Sequence, residues 1–149
     1  MAINFEKFAQ EGNEFLSRLA TSLGHPEEKG RTGIIMRSVM HTLRERITMG
    51  ESLNLLAQLP MFLKGIYVDN WKYQEKPANI KKKEEFLDAV KNHQAQYGEQ
   101  DFDWEKSTED IVKIVLRELS TYVSRGEFED IMAQMPQPIK ELIHESLEI

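Results

Sequence analysis

The sequence of 149 residues contains no cysteine. This absence excludes disulfide bonds, thiol nucleophiles and zinc or iron–sulfur sites with cysteine ligands, and it agrees with a reducing cytoplasm. Long hydrophobic runs are also absent, because Lys64 interrupts the most apolar stretch, residues 59–68, which is too short to span a bilayer. Residues 1–8 show no basic head followed by an apolar run, so we expect no signal peptide and a cytoplasmic protein.

An excess of positive charge is missing as well. The formal net charge is −6, and residues 1–75 carry as many basic as acidic side chains, so the whole negative excess lies in residues 76–149. General attraction to nucleic acid or to anionic lipid depends on Lys and Arg side chains that neutralise phosphates. We therefore expect neither a nucleic-acid partner nor a membrane partner.

The composition that remains is typical of a globular protein, with 40% hydrophobic and 30% charged residues. The length fits one domain, or two very small units that share a core. A chain of this size buries about 70% of its extended-chain surface, so it needs neither a disulfide nor a structural metal to fold.

A repeated motif organises the chain. Residues 57–60, Ala-Gln-Leu-Pro, recur 76 positions later as Ala-Gln-Met-Pro at residues 133–136, and a Gly-Glu pair precedes each copy at residues 50–51 and 126–127. The constant offset indicates two copies of one helical unit. The motif residues to which we give a structural role are Gly50, Gln58, Pro60, Gly126, Gln134 and Pro136.

In the first unit, apolar residues recur at spacings of three and four, which is the period of an amphipathic helix. Asn4 is a good N-cap, and Gly24 and Gly50 can close the first and second helices in the left-handed conformation. Pro60 breaks the chain between the third and fourth helices. The predicted helices cover residues 5–23, 26–49, 51–58 and 61–68.

The second unit repeats this pattern, with Asn79 as the cap of its first helix and a loop over residues 96–103 that contains Gly98. Asp103 or Ser107 caps the second helix, and Gly126 ends it. The predicted helices cover residues 80–96, the stretch from that cap to Gly126, and residues 127–134 and 137–147.

The predicted fold class is all-α, because no segment shows the alternating period of two that half-buried strands have. We expect two pseudo-symmetric four-helix units, residues 1–76 and 77–149, that together form one globular domain. Each unit alone offers only a small core. We therefore predict that the two long helices pack together about a pseudo-twofold axis.

These motifs resemble a bacterial helical family, the domain of unknown function 2267. The resemblance rests on the Gly-Glu and Ala-Gln-Leu-Pro pattern, on residues 63–71, Leu-Lys-Gly-Ile-Tyr-Val-Asp-Asn-Trp, and on Glu-Phe-Leu at residues 85–87, and it covers nearly the whole chain. Members usually have Gly before the Trp and Pro soon after it, where this chain has Asn70 and Tyr73. The resemblance implies a twice-repeated helical fold and no established activity.

Patterns for catalysis and metal binding are incomplete. Glu141 and His144 have the Glu-x-x-His spacing of carboxylate-bridged metal sites, but such a site needs a second pair. The sequence has no Gly-x-Ser-x-Gly nucleophile elbow, and residues 30–33, Gly-Arg-Thr-Gly, are better explained as a loosened helix start. We predict no catalytic residues, no cofactor and no metal ligands, and hence no enzyme.

Two sets of residues are candidates for contacts. Tyr67, Trp71 and Tyr73 are the best candidate interaction surface, because Tyr and Trp concentrate at such sites; the alternative is that they cover the seam between the units. Gln58 and Gln134 precede helix breaks, so we expect their amides to donate to the last carbonyls of the helix. The alternative is a recognition site that brings both amides together.

From these observations we expect a non-catalytic helical module that acts through contacts with a protein partner or as a homo-oligomer. The alternative is a small-ligand or metal-dependent function in the crevice between the repeats. A deep pocket with convergent polar groups and a strongly perturbed titratable residue would favour that alternative.

Overall fold

The computed structural model describes residues 3–99 and 103–148. Within these ranges the chain forms eight α-helices and no β-strand, which confirms the predicted all-α fold. Part of the predicted 96–103 loop, residues 100–102, lies outside the described residues. The helices are α1 (Phe5–Ser22), α2 (Lys29–Arg46), α3 (Met49–Gln58), α4 (Met61–Val68), α5 (Lys83–Gln96), α6 (Thr108–Leu119), α7 (Arg125–Ala133) and α8 (Gln137–Leu147).

The sequence repeat is visible in the helix positions. α3 and α7 begin at Met49 and Arg125, and α4 and α8 begin at Met61 and Gln137, so both pairs lie 76 positions apart. The bounds of α4 and α8 are the predicted ones. The breaks before these two helices therefore fall at the two prolines of the motif.

The first helix also has its predicted ends. The Oδ1 atom of Asn4 accepts the N–H of Lys7 at 3.1 Å, which caps α1 at its N-terminus. Gly24 follows the helix with a φ of +85°, a left-handed conformation that glycine adopts without steric cost.

The predicted end of α2 and the predicted role of Gly50 are wrong. α2 covers Lys29–Arg46, and Gly50 is an interior residue of α3. The cause is Thr48, which has an extended backbone and a side chain that accepts the N–H of Glu51 at 3.2 Å. A threonine at this position starts a new helix, so Gly50 has no helix end to close.

The same correction applies to Gly126, which lies inside α7. Ser124 caps α7 by accepting the N–H of Glu127 at 3.1 Å, and α6 ends earlier, at Leu119. Of the two predicted caps for α6, the structure uses Ser107, whose hydroxyl accepts from the N–H of residue 110 at 3.1 Å.

α5 begins at Lys83, so Asn79 is not its cap. The residues before it, 69–82, form an extended linker that is tied to α2. The N–H of Ala78 donates to the carbonyl of Glu45 at 2.8 Å, and the Nε of Arg46 donates to the carbonyl of residue 80 at 2.8 Å. These bonds hold the linker in a non-helical path across the end of α2.

Helix α2 lies in contact with α1, α4, α5 and α6. Hydrophobic side chains from both units form one core around it. The buried hydroxyls of Thr32, Ser38 and Thr42 each donate to a backbone carbonyl four residues earlier, at 2.8 Å. Two further buried polar residues of α2, His41 and Arg44, find their partners on other elements, and these contacts build the candidate site.

No helix in the described part of the chain is both long enough and apolar enough to cross a bilayer.

Candidate functional site

A cleft of about 890 Å³ opens between α2 of the first unit, α5 of the second unit and the linker 69–82. Four of the side chains that line it are basic and one is a carboxylate, Glu45. Trp71 and an aromatic side chain of the second unit, Tyr97, also line the cleft. The basic residues are Arg37, Arg44, Lys72 and Lys76.

Arg44 anchors one wall of the cleft, and its residue is only 6% exposed. Its guanidinium donates to the carbonyl of Tyr67, to that of Asp69 at 2.8 Å and to that of Asn70 at 3.2 Å. These carbonyls end α4, where a helix lacks internal donors and favours a positive charge. Burial lowers the pKa of Arg44, and nearby Tyr97 raises it again.

The linker turns away from α4 at Asn70, which has a φ of +54°. Asparagine tolerates this left-handed conformation better than most residues. The turn brings Trp71 back over α2, with the Arg44 guanidinium 5.8 Å from the centroid of its ring. Arg44 thereby positions Trp71 on the cleft wall.

His41 lies fully buried behind the cleft. Its Nε2 bonds the carbonyl of Ile66 at 2.7 Å, and its Nδ1 bonds the hydroxyl of Tyr97 at 2.5 Å. Because a carbonyl only accepts, Nε2 carries the proton and Nδ1 accepts from Tyr97. Burial, with smaller contributions from the nearby Arg44 and Arg37, outweighs the hydrogen bond to Ile66 and lowers the pKa of His41 to about 4, so the ring is neutral at pH 7.

Three side chains stack along the cleft. The guanidinium of Arg37 lies 4.1 Å from the centroid of the Tyr97 ring, and that ring stacks on His93 with centroids 5.6 Å apart. His93 in turn bonds Glu45 through its Nε2 at 3.0 Å. Burial raises the pKa of Tyr97, which keeps its hydroxyl protonated as the donor to His41.

Hydrogen-bond donors in this wall remain in excess. Within residues 3–99 and 103–148, no partner lies within bonding distance of the enclosed Nε–H donors of Arg37 and Arg44. Buried polar groups are nearly always paired, so two free donors in one cleft wall are unusual. The arrangement can bind an acceptor-rich, negatively charged group.

The three residues of the predicted aromatic surface differ in their exposure. Tyr67 is 1% exposed and belongs to the core, where its hydroxyl bonds Ser52 at 2.7 Å. Trp71 is half-buried and meets the Tyr67 ring edge to face at 5.6 Å. Tyr73 is 73% exposed. Trp71 therefore fits the alternative interpretation, in which the aromatic residues cover the seam between the units. Of the three residues, only Tyr73 exposes its ring to solvent.

The two motif glutamines connect the units instead of capping their own helices. The Oε1 of Gln58 accepts the N–H of Ser124 at 2.7 Å, and the Oε1 of Gln134 accepts the N–H of Thr48 at 2.9 Å. The predicted partners, the last carbonyls of α3 and α7, are therefore wrong. Each glutamine oxygen accepts the backbone N–H of the residue that caps a helix of the opposite unit. The contact is reciprocal, which fits the predicted two-fold relation.

Glu141 and His144 each contact a neighbour on or next to α8. Glu141 accepts from Gln137 at 3.2 Å, whereas His144 pairs with Glu148 at 3.2 Å, and all four side chains are exposed. Residues 30–33 form part of the first turns of α2, as their interpretation as a helix start requires.

Sequence reasoning missed the cleft residues on α2. Arg37, His41 and Arg44 follow one another at spacings of four and three, which places them on one face of the helix. That spacing is a weak signal, because it is equally typical of a solvated helix face. Their partners come from the linker and from α5, Tyr97 among them, and the sequence does not show those contacts.

Comparison with known proteins identifies a family. Residues 12–142 match the model of the family described as uncharacterised conserved protein, DUF2267. A search against curated proteins found no match. The match covers most of the chain, and the description of the family names no activity.

Proposed function

We propose that this chain, which belongs to the DUF2267 family, binds a small anionic ligand in the cleft between its two units and does not transform it. The observation that carries the proposal is the surplus of basic groups, four against one carboxylate, around a cleft of about 890 Å³. This volume lies within the range of small-molecule sites. The function corresponds to the alternative that the sequence left open, with an anion as the ligand.

Arg37 is the side chain best placed to meet the ligand. One of its terminal nitrogens already holds the carboxylate of Asp69 at 2.5 Å, and that carboxylate is 53% exposed. An exposed carboxylate is easily exchanged for another, because its pair with Arg gains little in water. A ligand carboxylate or phosphate would take the same place and would also face the unpaired Nε.

Lys72 and Lys76 extend the positive charge to the rim of the cleft. Both are exposed residues of the linker. Exposed charges of one sign around a cleft raise the local concentration of ions of the other sign and speed their association. The rim therefore supports the proposal even though the chain as a whole is acidic.

His41 supports binding rather than catalysis. Both of its ring nitrogens are engaged, one by Ile66 and one by Tyr97. A general base needs a free nitrogen within reach of the proton that it removes. We assign His41 the role of positioning Tyr97, and through it Arg37, at the cleft.

The test is isothermal titration of the whole chain with phosphate, pyrophosphate and citrate as probes at low salt. We expect saturable binding of at least one probe and a loss of affinity of about tenfold or more in Arg37→Gln, since a charge-assisted hydrogen bond contributes about 1.5–3 kcal/mol. Lys140→Gln is the matched control, because Lys140 is an exposed residue of α8 away from the cleft. Equal affinity in both variants, or no binding of any probe, would contradict the proposal.

A contact with a protein partner is the second candidate function. The observation that favours it is Tyr73, a large aromatic residue that is 73% exposed on the linker. Capture experiments from a native extract with wild type and Tyr73→Ser test it. A partner that is lost only in Tyr73→Ser supports a protein contact, and equal capture by both chains counts against it.

A further inference from the structure

We infer that the carboxylates of Glu51, Glu127 and Asp130 form a binding site for a divalent cation, with Ca²⁺ as the best fit. The site lies where α3 of the first unit meets α7 of the second. One carboxylate oxygen from each residue lies within 4.8 Å of those of the other two. None of the three residues lines the basic cleft, so the inference does not depend on the proposed anion site.

The fold brings these side chains together through its repeat. Glu51 and Glu127 are equivalent residues of the Gly-Glu motif, and each donates its backbone N–H to the capping hydroxyl of its own helix. The reciprocal glutamine contacts hold α3 and α7 against each other, so the two equivalent carboxylates meet. Asp130 lies three positions after Glu127 and thus on the same face of α7.

An independent observation is that two carboxylate oxygens here are enclosed and unsatisfied. Glu127 is only 6% exposed, and within the described ranges its Oε2 has no hydrogen-bond partner. The Oε2 of Glu51 is in the same situation, while its Oε1 accepts from the amide of Gln134 at 3.3 Å. Buried carboxylate oxygens without partners are costly, and two that face each other repel.

The charges near Glu127 do not relieve this repulsion. The charged groups that act on it are Glu51 and Asp130, both acidic, and burial, followed by a side-chain hydrogen bond with Glu51, raises the pKa of Glu127 to about 8. Without a cation, Glu127 therefore holds a proton at pH 7 and shares it with Glu51. A cation between the carboxylates would displace that proton and take its place as the positive charge between the acidic groups.

The ligand atoms indicate which cation fits. All three are carboxylate oxygens, the donors that hard cations prefer, whereas zinc and copper favour nitrogen and sulfur. Ca²⁺ accepts irregular sets of six to eight oxygen ligands, whereas Mg²⁺ demands a near-ideal octahedron and gives up its waters reluctantly. Three carboxylates drawn from two helices, with oxygens within 4.8 Å of one another, therefore suit Ca²⁺ better. The exposed Asp130 leaves one side of the site open to water, which completes the coordination.

Thermal unfolding and calorimetric titration of the whole chain with CaCl₂ and MgCl₂ test the inference. We expect Ca²⁺ to raise the Tm in a saturable manner and Mg²⁺ to do so less, because a ligand that binds the folded state stabilises it. Glu127→Gln should weaken Ca²⁺ binding by about tenfold or more. Removing a residue that only supports a metal ligand already costs about that much affinity, and Glu127 is a ligand itself. This variant removes a repulsion, so we expect it to fold.

Glu129→Gln is the matched control. Glu129 lies on the same helix, is exposed and pairs with Arg125 at 3.7 Å, so its loss removes the same charge without touching the site. Retained Ca²⁺ binding in Glu129→Gln and its loss in Glu127→Gln support the site. No Tm shift with Ca²⁺, or an equal effect of both substitutions, would overturn the inference while leaving the anion-binding proposal standing.

Discussion

Acid should destabilise the fold through His41, whose neutral ring holds α2 to α4 and α5. The Nε2 donates to Ile66 and the Nδ1 accepts from Tyr97. A proton on Nδ1 would turn the acceptor into a donor, and the buried charge would lie near Arg37 and Arg44. The folded state therefore resists protonation that the unfolded chain accepts.

The magnitude follows from the two pKa values. His41 has a pKa of about 4 in the folded chain and 6.5 as its ordinary value. Because the folded pKa is depressed, the unfolded chain binds more protons between these values, and the stability is fully present above pH 6.5 and falls as the pH drops towards 4. At about 1.36 kcal/mol per pH unit, the loss is about 2 kcal/mol at pH 5 and about 3 kcal/mol at pH 4. The ring is fully buried, so solvent does not screen this effect.

The assay is urea unfolding of wild type and of His41→Gln at about pH 7.5, 6 and 5. Glutamine has a donor and an acceptor but does not titrate. Other groups titrate alike in both chains, including Glu127, whose raised pKa of about 8 makes the fold more stable as the pH falls from 8 to 4.5. The difference between the two chains isolates His41, and wild type should lose about 2 kcal/mol more than the variant between pH 7.5 and 5.

Equal pH dependence of the two chains would refute this reasoning. A second measurement covers the case in which His41→Gln does not fold. The ¹⁵N shifts of the wild-type imidazole should show a neutral ring with the proton on Nε2 down to pH 5, because the folded pKa is about 4. A ring that titrates near 6.5 would show that His41 is not buried against these partners.

Three further predictions concern the contacts that hold the fold. Thr48→Ala removes the cap of α3 and should cost about 1 kcal/mol in urea unfolding; an unchanged midpoint would mean that the cap contributes nothing. Gln134→Met should cost about 1 kcal/mol by removing the bond to the opposite unit, whereas Gln10→Met at an exposed position of α1 should cost less than about 0.5 kcal/mol. Tyr67→Phe leaves the buried Ser52 hydroxyl without its partner and should cost about 1–3 kcal/mol, and thermal unfolding at neutral pH checks it.

The helices were predictable where one local signal decides. Asn4, Pro60 and Pro136 fix starts of α1, α4 and α8 through capping and through the missing proline donor, and these starts are as predicted. The prediction that Gly50 closes α2 was wrong because two local signals compete there. A glycine that can close a helix lies two positions after a threonine that can open one, and the hydroxyl bond of Thr48 decides.

The candidate site was less predictable because its contacts are remote in sequence. A charged residue off the apolar stripe of a helix, such as Arg44, is expected in solvent. Here the carbonyls at the end of α4 and the turn at Asn70 enclose it, and Tyr97 of the second unit completes the wall. Only the tertiary arrangement shows that these groups meet, since no local pattern encodes the path of the linker.

The repeat explains why the two sites differ in kind. Glu51 and Glu127 are equivalent, so contact between α3 and α7 necessarily brings like charges together, and that contact calls for a cation. The side chains of the cleft are not repeated in this way. The position equivalent to Arg37 in the second unit, 76 residues later, is Lys113, and its ammonium is held by Glu109 at 3.0 Å. The anion site thus depends on the linker 69–82 between the two units, and changes there should leave the cation site intact.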